Sequence, residues 1–449
     1  MINPVMEKKT LLEEWMGKKI RIQTGNLTRQ QLSQYQLIAL GETIRRAYEN
    51  SPFYHTLLKD CADIEMNSLG DLQRFPFTTA DHIREHGMRF LCVSQSDIHR
   101  IVTLHTSGTT GEAKRIYFTA FDQELTVDFF QQGMSTMVKP GERVLILLPG
   151  ERSGSVGDLL TIALKRARTQ PIIHGVVENV AETLDIMVQE KIDSVVGIPV
   201  QVLALARYSE FAHIKIQVKS VLMSTDHVPD AITREVRRIW NCQVFEHYGM
   251  TEMGLGGGLD CEVHSGYHLR EADLYFEIID DSGNPVPDGE EGEVVFTTLT
   301  RQGMPLIRYR TGDISRFLIE SCLCGTVLRR LERITKRKNN LVFLSEEQYF
   351  TIADLDEEIF SVPGVIDYKV YVDSLQLVRE MNVSVWMLGE PDQESEFTLY
   401  ERIKRIAVIQ RAERNGKLSI IVNVIFKTTA FLTSPVKRRV MELKDDGRK

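Results

Sequence analysis

Between residues 144 and 240 short apolar runs alternate with amphipathic stretches. The runs are 144–148, Ser194–Gly197 and Ser220–Met223, and the stretches include 156–167 and 231–240. Runs this short and this continuously apolar suit strands covered on both faces. Amphipathic connections between them predict βαβ units and a parallel sheet. Few architectures satisfy that pattern, so the bulk of the chain is expected to be α/β. With 449 residues and 43% hydrophobic content, the chain is long enough for two or three domains, each with its own core.

The flanks read differently. From Leu27 to about Asp60 apolar residues recur at helical spacing (Leu32, Tyr35, Leu37, Leu40, Ile44, Ala47), and Ser51-Pro52 breaks the helix. Around 275–318 closely spaced strands are expected at Leu274–Ile279, 292–299 and 314–318, separated by DDSG and PDG turns. After Lys336-Arg337-Lys338 the pattern predicts a helix at 353–360, strands at 365–372, 382–387 and 420–426, and a second helix at 396–412. That is a small α+β domain.

A formal net charge of −8 argues against a general nucleic-acid or anionic-membrane binder. No apolar run approaches about 18 residues, and the N-terminus has no apolar stretch of signal-peptide kind, so a cytoplasmic protein is expected. Six cysteines are too sparse for a disulfide framework.

Residues 106–114 (TSGTTGEAK) follow the apolar run 101–104. Thr106, Ser107, Gly108, Thr109, Thr110 and Gly111 combine glycines, whose backbone N–H groups can curl around an anion, with hydroxyls that donate to phosphate oxygens. Lys114 adds a point charge. The segment is built like a phosphate cradle, although a polar hairpin turn would use the same residues. It is not the P-loop pattern, because the lysine follows the second glycine by three positions.

Further segments narrow the reading: Ser51-Pro52-Phe53-Tyr54, Phe75-Pro76-Phe77-Thr78-Thr79, Glu246-His247-Tyr248-Gly249-Met250-Thr251-Glu252, and Ile307-Arg308-Tyr309-Arg310-Thr311-Gly312-Asp313. Together with the TSGTTGxxK stretch they resemble the ordered motifs of adenylate-forming enzymes, in particular the phenylacetate-CoA ligase branch. The resemblance implies a large N-terminal adenylation domain (1–335; parallel sheets with helices plus a β-rich subdomain), a hinge (336–340) and a small mobile α+β domain (341–449). It also implies ATP, Mg²⁺ and coenzyme A.

In that family's chemistry a carboxylate attacks ATP, and catalysis is largely positioning and electrostatics. The resemblance makes Glu252 the Mg²⁺ ligand and Thr251 an α-phosphate contact. Tyr248, between Glu246 and Gly249 in the nucleotide-binding motif, flanks adenine. Asp313 bonds the ribose hydroxyls, as acidic residues do in dinucleotide sites. His247 could contact the carboxylate or be structural. Arg333 and Arg337 match the hinge motif, Arg337 being suited to ribose or phosphate. Lys336 and Asn339-Asn340 replace that motif's glycine and aspartates, which bears on the thiol-transfer step. Residues 435–440 resemble the region of the adenylation lysine. Lys437 is the candidate with a one-residue slip, and a basic surface tail is the alternative.

Cys261, His268, Cys322 and Cys324 offer three thiols and an imidazole, enough for a closed tetrahedral structural Zn²⁺ site, with His264 the competing imidazole. Some members of the phenylacetate-CoA ligase branch resemble this, with a Cys-His-Cys-Cys clamp in the same place. Acid selection is expected around Ser224-Thr225-Asp226-His227, with 148–155 and 197–199 as pocket walls suited to a flat, aromatic acid. Asp226 and Arg152 could instead read a polar substituent. The expected partners are a small carboxylic acid, ATP and coenzyme A, with a homodimer left open. Transfer to a carrier protein or an amine, or a nucleotide sensor without turnover, are the rival readings.

Overall fold

The computed structural model describes residues 10–22, 26–61, 63–104, 113–345, 347–374, 378–392, 394–428 and 438–443. Its contacts group into two compact units. One comprises Met1–Pro140, Glu151–Arg168 and His247–Ile334; the other comprises Gly141–Gly150, Thr169–Glu246 and Thr335–Lys449. Thr335–Lys449 thus groups with 141–150 and 169–246 rather than forming a unit by itself.

In the first unit the helix Arg29–Asn50 begins with a Thr28/Gln31 capping box and stops at Ser51, whose hydroxyl caps the next helix, Pro52–Leu57. The strands Ile98–Leu104 and Lys114–Thr119 pair antiparallel, Leu104 opposite Lys114. Thr119 then caps the helix Ala120–Met134 together with Asp122. Leu274–Ile279, Gly292–Thr298 and Tyr309–Ser315 pair antiparallel in that order. The third strand thus lies earlier than the expected 314–318. It takes in the YRTGD motif and crosses a register irregularity near Glu293, with Gly312 at φ +76° supplying a conformation other residues rarely adopt. Tyr54, Phe75, Phe90 and Phe296 fill the core of this unit.

The second unit holds the parallel sheet. Its order is Gln243–Tyr248 (through Glu246), Ser220–Met223, Ser194–Gly197, Arg143–Ile146 and Gln170–Ile173. Ser194–Gly197 and Ser220–Met223 are buried throughout, as the apolar runs required. Their two serines are satisfied by a 2.8 Å bond between Ser194 Oγ and Ser220 Oγ. A second sheet runs Leu418–Lys427, Arg379–Leu388, Val365–Asp373, Met441–Leu443, flanked by the helix Ile352–Ile359.

The single helix expected at 396–412 is two helices, Ser395–Ile403 and Ala407–Arg414. Buried Ile403 and Ile409 are six positions apart, which on one straight helix would set them about two-thirds of a turn apart. The break lets both face the core. Among the described residues no helix is long and apolar enough to cross a membrane. All six cysteines are free.

Candidate active site

Three chain segments of the first unit converge on one carboxylate. Lys114 opens its strand, Tyr309 opens another, and Glu252 lies in the short helical turn Thr251–Met253 that follows Tyr248. Lys114 Nζ donates to Glu252 Oε1 and lies 3.3 Å from Tyr309 Oη, which itself donates to Glu252 Oε1 at 3.1 Å. Burial works against ionisation of Glu252, but the charge and hydrogen bond of Lys114 outweigh it and hold the carboxyl below its ordinary range. Glu252 is therefore a buried anion held ionised chiefly by Lys114, with the Arg301 guanidinium also attracting its charge.

Beside it, Tyr248 Oη donates to Asp313 Oδ2 at 3.0 Å, and the Tyr248 ring stacks on Tyr267 with centroids 5.8 Å apart. Asp313 N–H donates in turn to Thr311 Oγ1 at 3.0 Å. Gly249 cannot carry a side chain here, since a Cβ would come within 2.6 Å of the Leu255 carbonyl oxygen. The turn that aims Glu252 depends on it. Thr251, half-buried, begins that turn.

His247 packs among Phe129 and Phe130, each centroid 6.3 Å away. Burial, and then the charge of Arg270, push its pKa down to about 4, so it is neutral at ordinary pH. Arg270 is held by Asp273 (Nε to Oδ2, 2.7 Å) and by the Leu125 carbonyl. Glu246 is fully buried at the end of its strand in the second unit. Arg333 and Arg337 are half-buried, Arg337 in the two-residue strand Lys336–Arg337. Residues 106–111 and Lys437 lie outside the described residues.

The cysteine expectation finds a concrete geometry. One ligand atom from each of Cys261, His268, Cys322 and Cys324 falls in a group within 4.8 Å of one another. Sγ of Cys261 is 3.8 Å from Sγ of Cys322, and Sγ of Cys324 is 3.5 Å from Nε2 of His268. A tetrahedral zinc with ordinary Zn–S and Zn–N bonds has S···S edges of about 3.8 Å and S···N edges of about 3.5 Å. The donor set has the chemistry for that ion, and these two edges have its size. His264 is elsewhere, its Nδ1 2.7 Å from Asp260 Oδ2. Register explains the choice of imidazole: Tyr267–Leu269 pairs with Arg330–Leu331, His268 opposite Arg330, just beyond the cysteine pair.

In the second unit the loop after Ser220–Met223 carries Thr225 at φ +77°, an uncommon conformation for a β-branched residue. Asp226, read from sequence as able to recognise a polar substituent, is instead engaged internally. It accepts from Arg438 N at 3.1 Å and feels the Arg438 charge, although burial still raises its carboxyl above the ordinary range. Arg438 is not part of a surface tail, since it is 7% exposed and also paired with Asp356.

Sequence reasoning assigned no role to Tyr309 or Arg301. Tyr309 stood inside a quoted motif, an aromatic donor at a strand start. Arg301 carried no local signal.

The AMP-binding enzyme family model matches residues 76–300. Phenylacetate-coenzyme A ligase of Pseudomonas putida is 26% identical over 382 residues, covering 80% of this chain and 84% of its own length. The enzyme of that name from Thermus thermophilus is 25% identical over 356 residues, covering 77% and 79% respectively. Among solved structures, 2-hydroxyisobutyryl-CoA ligase in complex with R3-HIB-AMP superposes with a TM-score of 0.76 at 18% identity, over 92% of this chain and 90% of that one. That likeness is one of fold.

Proposed function

The chain belongs to the AMP-binding enzyme family, and on that premise we propose that it activates a carboxylic acid, most plainly an aromatic one, with ATP. A carboxylate oxygen attacks the α-phosphorus, pyrophosphate leaves, and an acyl-adenylate forms. The thiol of coenzyme A then attacks the acyl carbon and AMP departs. The similarity to phenylacetate-coenzyme A ligases over four-fifths of the chain supports both the aromatic acid and the thiol acceptor.

The observation that carries the reading is the buried Lys114–Glu252–Tyr309 cluster. A carboxylate kept ionised in a low-dielectric site chiefly by a lysine, with Arg301 adding to the positive field, is poised to exchange that lysine for another cation. When nucleotide arrives, Lys114 turns to the α-phosphate and Glu252 is the residue that would hold Mg²⁺, which supplies neutralisation of the phosphate charge. Residues 106–111 cradle the phosphates, with Thr251 contacting the α-phosphate. Asp313 takes the ribose hydroxyls. Tyr248, beside Glu246 and Gly249, flanks adenine, its hydroxyl already oriented by Asp313. Neutral His247 lines the acid side as a hydrogen-bonding rather than a charged group. Residues 341–449 act as the small domain, with 336–340 as hinge beside Arg333 and Arg337 and Lys437 as its adenylation lysine; its reorientation would have to break the core it shares with 141–150 and 169–246. Cys261, His268, Cys322 and Cys324 hold a structural Zn²⁺, and the protein works in the cytoplasm.

The test is carboxylate-dependent ATP–pyrophosphate exchange over a panel of aromatic and aliphatic acids, followed by acyl-CoA detection. Exchange and acyl-CoA formation with an aromatic acid are expected. Glu252→Gln should lower exchange by about a hundredfold or more in a protein that still folds, with a melting temperature lowered by loss of the Lys114–Glu252 pair. Exchange without acyl-CoA would point to a carrier-protein or amine acceptor. ATP binding without exchange on any acid would point to a sensor.

A further inference from the structure

We infer that Arg301 is a positioning residue for nucleotide activation, setting the backbone at Glu252 relative to the strand that carries Lys114; this rests on the function proposed above. The arginine is 5% exposed, and its Nη1 donates to the backbone carbonyl of Glu252 at 2.7 Å. Its guanidinium also lies over the Phe118 ring, 4.4 Å from the centroid. Phe118 belongs to Lys114–Thr119, so one side chain touches both the turn that delivers the carboxylate and the strand that delivers the lysine.

The loop around Arg301 is itself tied down. Arg46, on the helix Arg29–Asn50, donates to the Arg301 carbonyl. The next two residues donate through their backbone N–H groups to Asp122, Gln302 at 2.7 Å and Gly303 at 3.0 Å. Asp122 also accepts from Thr119 N at 3.0 Å, at the end of the Lys114 strand. Arg301 is thus fixed to the same strand twice, once by its ring contact and once through its loop.

Its enclosure identifies the kind of role. Arg301 lines a cavity of about 20 Å³ with Asp122, Thr126, Arg270 and Thr300. That is room for roughly one water, not for an acid or a phosphate. The side chain therefore acts through Glu252 rather than on substrate. Among the described residues its Nη2 has no hydrogen-bond partner. A buried guanidinium with an unsatisfied donor is costly, and such departures from full satisfaction concentrate where function holds them.

A shift of Glu252 by a fraction of an ångström should weaken what depends on its carboxylate, the Mg²⁺-assisted part of ATP binding, more than ATP binding as a whole. The experiment uses the full-length chain and its Arg301→Met and Arg301→Lys variants. ATP affinity is measured by calorimetry in metal-stripped buffer, with and without added Mg²⁺, and thermal melting monitors folding. Parent protein should bind more tightly with Mg²⁺. Arg301→Met should lose about tenfold in the presence of Mg²⁺ while metal-free affinity stays within about twofold, and Arg301→Lys should recover part of the loss. If Arg301→Met does not fold, an intermediate, Mg²⁺-selective loss in Arg301→Lys carries the same expectation. Folded variants with an unchanged Mg²⁺-dependent gain would overturn the inference alone. A parent chain that binds no ATP even with Mg²⁺ would overturn the reading of the site, and this inference with it.

Discussion

Glu252 and His247 sit five residues apart, Glu252 buried and His247 half-buried, and burial disfavours charge on each. They end in opposite states because of their neighbours. Glu252 faces Lys114 and stays ionised; His247 packs against aromatic rings, feels the like charge of Arg270 and stays neutral. The histidine therefore leaves a signature in the pH dependence of stability. Its pKa is near 6.5 unfolded and about 4 folded, so between those values the unfolded state binds more protons. Stability contributed by neutral His247 is present above about pH 6.5 and is lost as pH falls toward 4, by up to about 3 kcal/mol. Glu252 has a depressed folded pKa, and the stability it contributes is likewise lost on acidification, but from a starting point near the ordinary carboxylate range. Urea denaturation of parent and His247→Gln between pH 4.5 and 7.5 separates the two. The variant should show a flatter loss from pH 6.5 down to 5, and parallel curves would refute the assignment.

Elements gather these residues from distances that local pattern does not reveal. The helix start at Thr119 and Asp122, absent from the sequence reading, obeys a local rule, a Thr and an Asp three positions apart at a helix N-terminus. That Asp122 also holds the Gln302–Gly303 backbone obeys no such rule, since the partners are about 180 positions away. Asp122→Ala should accordingly lose more than a cap alone, about 2–4 kcal/mol in urea denaturation rather than about 1. The cluster of Cys261, His268, Cys322 and Cys324 shows the same division. The cysteines announce a site, but spacing left His264 and His268 open, and only the pairing of Tyr267–Leu269 with Arg330–Leu331 selects His268. Metal analysis of purified protein should find one zinc per chain. Cys324→Ser should lose it together with several degrees of melting temperature, whereas His264→Ala should keep it. The misplaced third strand and the divided second helix have a common origin. Turn and periodicity signals mark where apolar faces lie, while a register irregularity and a core-facing break are decided by what packs against them.

At the scale of the whole chain, linear cues set an expected boundary near 335, and the ordered motifs mark the candidate site residues before it. What they cannot reveal is that residues 335–449 share a continuous core with 141–150 and 169–246. Apolar members of that core, such as Leu203 on one side and Val365 on the other, are separated by more than a hundred positions and carry no mutual signature. Two buried arginines pin this shared core. Arg207, 4% exposed on the helix Pro199–Phe211, donates to the carbonyls of Val365 and Phe360, the latter at 2.7 Å, and to Glu235 at 3.3 Å. Arg438 joins Asp226 to Asp356 and lies over the rings of Phe360 and Tyr368. Removing Arg207 leaves two carbonyls without their donor in a dry interior, a loss of about 2–3 kcal/mol locally. That is about 30–150-fold in the opening equilibrium of the elements it holds. Hydrogen exchange of Arg207→Met should therefore accelerate by that factor in the helix Ile352–Ile359 and the strand Val365–Asp373. The strands Leu274–Ile279 and Gly292–Thr298, which belong to the other unit, should exchange as in the parent. Equal acceleration in both groups would mean that Arg207 supports the molecule globally, and no acceleration would mean that the apolar core alone holds residues 335–449 in place.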